Sequence, residues 1–415
     1  MNKFDVIVIG AGASGLMASG KAAECGLNVC LLEKKSRPGI KLSITGKGRC
    51  NITNSAELRA FISEFGAGGK FLFGSFSRFF NNDLIDFLKV LGVKSRLERG
   101  GRYFPESNDA HSIVNALIRY AKNNNVKIQT SSPVKQIIKE KNGIKEIILN
   151  DGKILSADKY IIATGGKSYP LTGSTGEGYE FAKSLGHTVI DPSPALVPLV
   201  LNSPYLKQLN GLKLKNIEIT LFAGNKKEEK LFGEVEFTIF GITGPLILTV
   251  SSNVCKLIKQ NKKVEISVNL KPSLSEKQLD DRLVRELNNF GGLPVRNMLK
   301  TLLPLQMTDV FMKEAGIKHT EKCSSVDKNL RRKMFEVMTD MKFKVTSTRP
   351  IDEAIVTSGG VCLDEVEQNT MKSKIINNLY FCGEILNIDG PTGGFNLQAA
   401  FSTGYLAGIS AGESK

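Results

Sequence analysis

FDVIVIGAGASGLMASGKAAECGLNVCLLEK, residues 4–34, reads as a buried strand, a glycine-rich turn, a helix and a second buried strand. The first strand is indicated by the β-branched run Val6–Ile9, which is typical of strands that are covered on both faces. Small residues follow at helical spacing, and Gly26 is placed to end the helix. This order predicts the first strand–helix–strand unit of an α/β domain with parallel strands.

The turn between the first strand and the helix carries the pattern G-x-G-x-x-G. Gly10 permits the tight turn, Gly12 lets the backbone approach a pyrophosphate, and Gly15 permits close helix packing. Glu33, about 20 residues further on, ends the second strand and is placed to accept hydrogen bonds from a ribose. The spacing predicts a dinucleotide at the helix N-terminus, and Glu33 disfavours a 2′-phosphate there. FAD and NAD both stay open, because both contain adenosine diphosphate.

Length and composition limit the class of protein. With 415 residues, of which 41% are hydrophobic and 23% charged, the chain has the profile of a globular protein with two or three domains. Its apolar runs are too short to cross a bilayer and its first residues lack a secretory pattern, which predicts a cytoplasmic protein without a membrane segment. Seven scattered cysteines without a C-x-x-C pair, and three histidines, predict neither disulfides nor a metal site.

The net charge of +15 makes acidic partners, such as nucleic acid or anionic lipid, an open alternative. Ten lysines against five acids lie between Tyr205 and Lys263. These lysines are dispersed, no stacking aromatic residues stand between them, and the chain has no tryptophan. A solvated basic surface is therefore the favoured interpretation.

Two later segments repeat the pattern of strand, glycine turn and helix. The strand Tyr160–Ala163 runs into a glycine turn at residues 164–166. The strand Leu379–Cys382 is followed by a turn through residues 390–394, which opens a long helix from about Asn396. This arrangement resembles FAD-dependent oxidoreductases of the glutathione-reductase-like class. In that class the C-terminal helix points its N-terminus at the pyrimidine edge of the flavin and stabilises negative charge there.

The middle of the chain reads as an insertion. Period-two segments bounded by Gly, Pro and Asn predict the strands of a small barrel or sandwich: PALVPLVL, NIEITLFAG, EVEFTIFG, PLILTVS and KVEISVNL. Helices follow, the first with Ser275 as its N-cap and Gly291 as its stop. We expect this insertion to shape a substrate pocket, because clefts between domains are common ligand sites. The alternative is that it serves only stability or oligomerisation.

The predicted fold class is α/β: a discontinuous, glutathione-reductase-like FAD-binding Rossmann domain with an inserted β-barrel-like and helical domain. The predicted bounds are 1–191 and 346–415 for the two parts of the FAD-binding domain, 192–272 for the barrel-like domain and 273–345 for a helical cap.

The whole chain resembles the BaiN/YhiN-like family of NAD(P)/FAD-dependent oxidoreductases, which includes aminoacetone-oxidase-like and bile-acid-reductase-like members. The resemblance rests on IGAGASGLMA, KLSITGKGRCNITN, ATGGKSYPLTGSTGEGY, FTIFGITGPLIL, EAIVTSGGVCLDEV and GEILNIDGPTGGFNLQAAFSTG. It implies FAD held without a covalent bond, and NAD(P)H as a transient co-substrate. No second G-x-G-x-x-G unit is present for a dedicated NAD(P)H domain.

In that family the loop GKGRCNITN wraps the flavin with backbone and side-chain donors. The resemblance and the fingerprint together predict a set of FAD contacts. They are Gly10, Gly12, Ala13, Ser14, Gly15, Glu33, Lys34, Lys41, Thr45, Gly46, Arg49, Cys50, Asn51, Thr53, Val134, Ala163, Thr164, Gly165, Gly383, Glu384, Asp389, Gly393, Gly394, Phe395, Asn396 and Leu397.

Three positions depart from the family pattern. Asn387 and Glu177 stand where Asp is usual, and Leu171 stands where lysine is common. Asn387 removes an acid from its position, which leaves Glu384 and Asp389 as candidates to contact ribityl hydroxyls or phosphate-bound water.

The proton donor stays unassigned. Arg49, Lys167 and Tyr169 are candidates to hold or protonate a carbonyl substrate, and contacts to cofactor or to backbone turns explain them equally well. Cys50 is a candidate for a charge-transfer contact or a transient adduct with flavin. Packing beside the ring is favoured for Cys50, because a reactive thiol needs a depressed pKa.

The predicted chemistry is hydride transfer at flavin N5 to or from a small organic substrate, such as ene-reduction beside a carbonyl, with NAD(P)H as the electron donor. Two alternatives stay open. One is an FAD-dependent amine or aminoketone oxidase that uses oxygen. The other is an RNA-associated flavoprotein whose basic insertion docks on RNA.

Overall fold

The computed structural model describes residues 3–413 and consists of two compact units. The first unit contains the residues up to Ala195 and those from Ile351 onward, and the second unit is Leu196–Pro350. Each unit has its own cluster of buried apolar side chains. Both divisions lie a few residues later in the chain than the predicted positions 192 and 345. Residues 189–195 pair with residues 356–361 as strands of the first unit, and Met341–Thr348 is a strand of the second unit.

The strands, in chain order, are β1 (Lys3–Ile9), β2 (Val29–Leu32), β3 (Thr53–Asn54), β4 (Ser95–Glu98), β5 (Arg102–Pro105), β6 (Lys127–Gln129), β7 (Val134–Glu140), β8 (Gly143–Leu149), β9 (Ile154–Ile162), β10 (Val189–Ala195), β11 (Leu199–Asn202), β12 (Lys213–Ala223), β13 (Lys226–Thr238), β14 (Gly241–Thr243), β15 (Val264–Asn269), β16 (Met341–Thr348), β17 (Val356–Val361) and β18 (Leu379–Phe381).

The helices are α1 (Ala13–Glu24), α2 (Ile40–Ile44), α3 (Leu58–Ser63), α4 (Gly69–Arg78), α5 (Asn81–Val90), α6 (Ala110–Asn123), α7 (Glu177–Ser184), α8 (Leu206–Leu209), α9 (Pro245–Lys259), α10 (Glu276–Asn289), α11 (Val295–Leu302), α12 (Leu305–Ala315), α13 (Lys328–Thr339) and α14 (Phe395–Glu413).

The first unit is organised by one sheet, in which β1 lies between β2 and β9 and is parallel to both. The parallel strands β6 and β18 flank β2 and β9, and the antiparallel strands β8 and β7 continue from β9. Because β1, β2, β9 and β18 run in the same direction, their carboxyl ends meet at one edge of the sheet. Ligands bind at this edge in open α/β sheets.

Small residues bring α14 against α1. A Cβ at Gly404 would lie 2.4 Å from the carbonyl oxygen of Ser14, and one at Gly408 would lie 2.5 Å from that of Ala18. No side chain fits at either position, since real Cβ atoms do not approach backbone oxygen so closely. The alanine- and glycine-rich composition of α14 therefore reflects a close crossing of the two helices.

The second unit contains a closed barrel whose strands follow the order β11-β14-β13-β12-β15-β16, with β16 pairing back to β11. Helices α10 to α13 stand between β15 and β16 in the chain and share the barrel's apolar core. Ser275 caps α10 as predicted, and it forms a capping box with Gln278. The predicted α/β class, with a Rossmann-type sheet and an inserted barrel, is confirmed.

One predicted strand of the insertion is wrong. PLILTVS, residues 245–251, forms the start of helix α9. A short apolar run does not distinguish a strand from a buried helix. Pro245 at the first helical position favours a helix, and the buried residues Val250, Val254 and Leu257 continue the apolar face at helical spacing.

Among residues 3–413, no helix is both long enough and apolar enough to cross a membrane.

Candidate functional site

In the glycine turn between β1 and α1, one glycine faces open space and another is in close contact with the backbone. Gly10 has φ of +101°, and a Cβ at Gly15 would lie 1.8 Å from the Gly10 carbonyl oxygen. A Cβ at Gly12, by contrast, would meet no atom within 4 Å. Gly12 is the N-cap residue of α1 and has no side chain, so no cap occupies the first N–H groups of the helix. Open space beside such N–H groups suits a phosphate.

Glu33, at the end of β2, turns its carboxylate back onto the glycine turn. Its two oxygens accept hydrogen bonds from the backbone N–H of Ala11 (3.0 Å) and of Lys35 (2.8 Å). Burial raises the pKa of the Glu33 carboxyl above its usual value even though these N–H donors lower it. The neighbouring Lys34 forms an ion pair with Glu177 at 3.0 Å.

The loop after α2 contains the family motif GKGRCNITN and has an unusual backbone. Gly46, Lys47 and Cys50 all adopt left-handed conformations, with φ between 58° and 59°. Lys47 and Cys50 carry side chains, so these conformations cost free energy that the surrounding contacts must offset. The hydroxyl of Thr45 donates to the carbonyl of Leu42 (2.7 Å) at the start of the loop.

Cys50 is completely buried in this loop. Burial raises the pKa of its thiol to about 12, while a hydrogen bond with Thr45 lowers it slightly. A thiol with such a pKa is almost entirely protonated at neutral pH, and the thiolate is the reactive form. These properties favour packing over redox chemistry for Cys50.

We expect Cys50 to resist iodoacetamide in the native protein at pH 8, whereas the exposed Cys25 is alkylated. Peptide mass mapping after brief labelling measures both residues in one sample. Labelling in denaturant, where all seven cysteines should react, is the control. Rapid native labelling of Cys50 would restore the redox interpretation.

The N-terminal end of α14 is joined to the same loop. The side-chain amide of Asn51, in the orientation that satisfies its neighbours, accepts a hydrogen bond from the N–H of Gly394 at 3.0 Å. The amide of Asn54 donates to the carbonyl of Gly393 at 3.0 Å. A Cβ at Gly394 would lie 2.4 Å from the carbonyl carbon of Thr53, so the two backbones are in direct contact. The loop and the helix end therefore form one surface.

Glu384, which follows β18, connects three further segments. One carboxylate oxygen accepts from the Nζ of Lys41 at 2.7 Å. The other accepts from the backbone N–H of Thr357 at 2.9 Å and the hydroxyl of Ser168 at 3.3 Å. Lys41 also donates to Ser168 at 2.7 Å, and the side chains of Lys41 and Glu384 are only 22% and 20% exposed.

Sequence reasoning named Lys41 and Glu384 and missed Ser168 and Thr357. Both missed residues lie in motifs that carried the family resemblance, ATGGKSYP and EAIVTSGGV. The signal was therefore present, but neither residue is a type that suggests a role without its partners.

Tight backbone contacts complete the convergence of the segments. A Cβ at Gly10 would lie 2.6 Å from the carbonyl oxygen of Ala163, and one at Gly383 would lie 2.4 Å from the hydroxyl of Ser14. The N–H of Gly383 donates to the hydroxyl of Thr403 (2.9 Å) within α14. Residues 10–15, the loop after α2, the turn after β9 and the turn after β18 thus meet at the carboxyl edge of the sheet.

Arg49 lies in the loop and has three partners near the small sheet of β3, β4 and β5. Its guanidinium contacts the carboxylate of Glu98, donates to the side-chain oxygen of Asn108 at 3.0 Å, and lies over the ring of Phe104 at 4.1 Å. Arg49 holds the pKa of the Glu98 carboxyl below its usual value. These contacts explain Arg49 as a support of the loop.

Tyr169 and Lys167 occupy the turn after β9. Tyr169 has a left-handed backbone with φ of 53°, and its N–H donates to the carbonyl of Asp352 at 3.3 Å. The side chain of Lys167 is exposed, and its backbone N–H donates to the hydroxyl of Thr357 at 2.8 Å. Backbone roles are therefore evident for both residues.

The remaining predicted contacts lie around the start of α14 and at β7. Both polar atoms of the Asn396 amide bond to the backbone of Gly390 at 2.8 Å, which closes the turn. Phe395 packs on the ring of Phe61 with centroids 4.5 Å apart. Val134, at the start of β7, Asp389 and Leu397 are half-buried.

The departures from the family pattern have different settings. Leu171 is 90% exposed. Asn387 donates its backbone N–H to the carbonyl of Val361 at 3.0 Å. Glu177 is the partner of Lys34 described above.

FAD fits the converging segments by the space and the donors that they offer. The open volume above Gly12 lies at the N-terminal end of α1, and Glu33 lies directly beside this turn. Lys41 and Glu384 present charged groups that retain partial exposure. The N-terminal end of α14, which carries positive dipole charge, lies against residues 51–54.

The fold is that of Rossmann-type FAD-dependent oxidoreductases. A 3-ketosteroid delta1-dehydrogenase from Sterolibacterium denitrificans has the same fold, with a TM-score of 0.55 at 13% identity over the whole of both chains. A flavocytochrome c3 fumarate reductase gives a TM-score of 0.52 at 17% identity, over 99% of this chain and 78% of the other. The chain belongs to the HI0933-like family: residues 4–410 match the family model described as "HI0933-like protein Rossmann domain".

Curated relatives match this chain along its length. A 3-dehydro-bile acid delta(4,6)-reductase from Clostridium scindens is 29% identical over 98% of both chains. A ribosomal RNA dihydrouridine synthase from Escherichia coli is 30% identical over 98% of this chain and 97% of its own. The family resemblance inferred from the motifs is confirmed.

Proposed function

We propose that this protein reduces a carbon–carbon double bond conjugated to a carbonyl, with FAD as its cofactor and NAD(P)H as the electron donor. The observation that carries the proposal is the pair of relatives that cover nearly the whole chain. A 3-keto steroid with a delta-4 bond and a uracil ring both contain a double bond next to a carbonyl. A site that descends from a common ancestor would therefore retain this reaction while the substrate changes.

The reaction balances as NAD(P)H plus a proton and the double bond, giving NAD(P)⁺ and two new C–H bonds. One carbon receives a hydride and the carbon next to the carbonyl receives a proton. Bound FAD supplies hydride acceptance and donation at N5. The protein's own part is to hold that cofactor, to orient the substrate carbonyl and to govern access of the proton.

Individual residues take the following proposed roles. The N–H groups at the start of α1 bind the pyrophosphate and Glu33 accepts from the ribose. Lys41 and Glu384 hold the loop after α2 against the turn after β18. The N-terminal end of α14, through its positive dipole charge, would stabilise negative charge on the bound flavin.

We propose uracil in ribosomal RNA as the substrate. The second unit, Leu196–Pro350, contains 26 Lys and Arg against 16 Asp and Glu, so it carries +10 of the net +15 of the chain. A polyanionic substrate matches such a concentration of positive charge. A cyclic enone of the steroid type is the second candidate, and the bile-acid reductase relative favours it.

An anaerobic spectrum of the purified protein tests the reductase first. NADH or NADPH should bleach the flavin absorbance, and reoxidation should be fast with the true substrate and slow with air. Ribosomal RNA transcribed without modifications is then the substrate, and dihydrouridine is measured by mass spectrometry of nucleosides. A 3-keto-delta-4 steroid is tested in parallel.

Each outcome separates the alternatives. Dihydrouridine formation establishes the RNA substrate, and saturation of the steroid alone establishes the second candidate. Rapid reoxidation by air with peroxide formation would identify an oxidase and overturn the reductase. A protein that binds no FAD would remove the whole proposal.

A further inference from the structure

Six exposed lysines gather at one end of the barrel, where two chain turns are joined. They come from the start of β13, the end of α9 and the turn before β15. We call them the lysine cluster: Lys226, Lys227, Lys256, Lys259, Lys262 and Lys263.

Backbone hydrogen bonds fix the relative positions of these three segments. The N–H of Gly224, in the turn between β12 and β13, donates to the carbonyl of Lys263 at 2.8 Å. The N–H of Lys262 donates to the carbonyl of Leu257 in α9 at 3.1 Å. Ala223 of β12 is paired with both Lys226 and Val264. The lysine cluster is therefore held by barrel pairing and does not depend on a loose loop.

The charge of the lysine cluster is largely uncompensated. Lys226 pairs with Glu228 at 3.1 Å. Within the described chain, the other five lysines make no ion pair within 4 Å. The acids in the same segments are Glu228, Glu229 and Glu265, half as many as the lysines. Gathering unpaired like charges costs electrostatic free energy, so a polyanion has a favourable site here.

A structural explanation accounts for only part of the lysine cluster. Lys256 and Lys259 lie in the last turn of α9, where cations stabilise the helix dipole. Lys226 and Lys227 come from the start of β13, so the dipole of α9 does not explain why they are there. The gathering of all six residues at one end therefore calls for a different explanation.

We propose that the lysine cluster is the surface that docks the phosphate backbone of RNA. This inference rests on the proposed RNA substrate and adds the place where it is held. Lysine suits this role because it neutralises phosphates without reading bases. The exposed segments that carry the lysines have no stacking aromatic residue. Docking here therefore contributes affinity for RNA, and specificity for the base sequence comes from other parts of the protein.

The test is a variant in which the five unpaired lysines, Lys227, Lys256, Lys259, Lys262 and Lys263, are changed to Gln. Binding of a fluorescent single-stranded fragment of ribosomal RNA is measured by anisotropy over a range of NaCl concentrations. The slope of log K against log salt should fall by about 0.7 for each lysine that contacts a phosphate. The dissociation constant at 150 mM salt should rise by at least about tenfold.

The matched control changes five exposed lysines of the first unit, Lys89, Lys94, Lys122, Lys135 and Lys139, to Gln. It loses the same charge and should retain RNA affinity within about twofold. Circular dichroism and melting temperature verify that both variants are folded. If the two variants lose equal affinity, or if neither changes the salt slope, the lysine cluster is not the docking surface.

Kinetics separate this inference from the proposed function. With RNA as substrate, the cluster variant should raise KM and leave kcat unchanged, while reduction of flavin by NAD(P)H stays as in the wild type. Salt-sensitive binding that depends on the cluster, without dihydrouridine formation, would retain the docking surface and remove the RNA substrate. Loss of binding to vesicles with 30% phosphatidylserine, with RNA binding intact, would assign the cluster to lipid and overturn the proposal.

Discussion

Replacing Gly12 with valine is expected to lower the affinity for FAD by at least about 100-fold, which corresponds to about 2.7 kcal/mol. A Cβ at Gly12 meets no protein atom within 4 Å, and its φ of −81° and ψ of −165° suit any residue. The valine side chain would fill the space in which a pyrophosphate approaches the start of α1. Titration of the apoprotein with FAD, followed by flavin fluorescence, measures the loss.

Gly15→Val provides the contrast to this variant. Its Cβ would lie 1.8 Å from the carbonyl oxygen of Gly10, so the packing of α1 on the sheet has to break. Gly12→Val should therefore melt within about 2 °C of the wild-type apoprotein, whereas Gly15→Val should fail to accumulate as a folded protein. Normal FAD affinity in Gly12→Val would show that the pyrophosphate does not bind at this turn.

Replacing Glu384 with alanine is expected to destabilise the first unit by about 2 kcal/mol and to release FAD on mild heating. The substitution leaves the ammonium of Lys41 and the N–H of Thr357 without the carboxylate that both contact. The Lys41 side chain is only 22% exposed, so water replaces the lost partner incompletely. Flavin fluorescence during a thermal ramp, recorded beside tyrosine fluorescence, measures both effects.

Glu384→Gln is the matched control because its amide oxygen still accepts from Thr357. Glu384→Gln should lose only the ionic part of the contact with Lys41. Its melting temperature should therefore lie between those of the wild type and Glu384→Ala. If Glu384→Gln is as stable as the wild type, most of the destabilisation in Glu384→Ala comes from the lost Thr357 hydrogen bond. Equal stability of all three proteins would mean that the network does not hold the loop after α2.

Sequence patterns predict the first half of the site because its residues are close together in the chain. The three glycines of the turn and Glu33 lie within 24 residues, and local geometry assigns each of them a role. The cap of α10 at Ser275 is local in the same way. Such features need no knowledge of which distant segments pack together.

The Glu384 network shows what such patterns miss. The hydroxyl of Thr357 accepts hydrogen bonds from the backbone N–H groups of Lys167 and Ser168 in the turn after β9. These two residues precede Thr357 by 190 and 189 positions in the chain. A serine or threonine has no distinctive signal until its partner is known, so the motifs that contain Ser168 and Thr357 predict no role for either residue. The misassigned segment at 245–251 has a related cause, since its helical face becomes apparent only when Val254 and Leu257 are counted.

The packing of α14 on α1 determines how late in synthesis the first unit can complete its fold. The helix formed by residues 13–24 completes its packing only with residues 395–413, whose glycines Gly404 and Gly408 approach it within van der Waals contact. At about 5–20 residues per second, a ribosome needs roughly 20–75 s to make the chain between them. The barrel unit ends at Pro350, and the ribosome reaches residue 395 only about 2–9 s later, so the barrel can begin to fold while the nucleotide-binding half is still unfinished. The nascent first unit therefore needs protection from aggregation for the longest time, and a pause in translation after residue 350 would prolong this exposure.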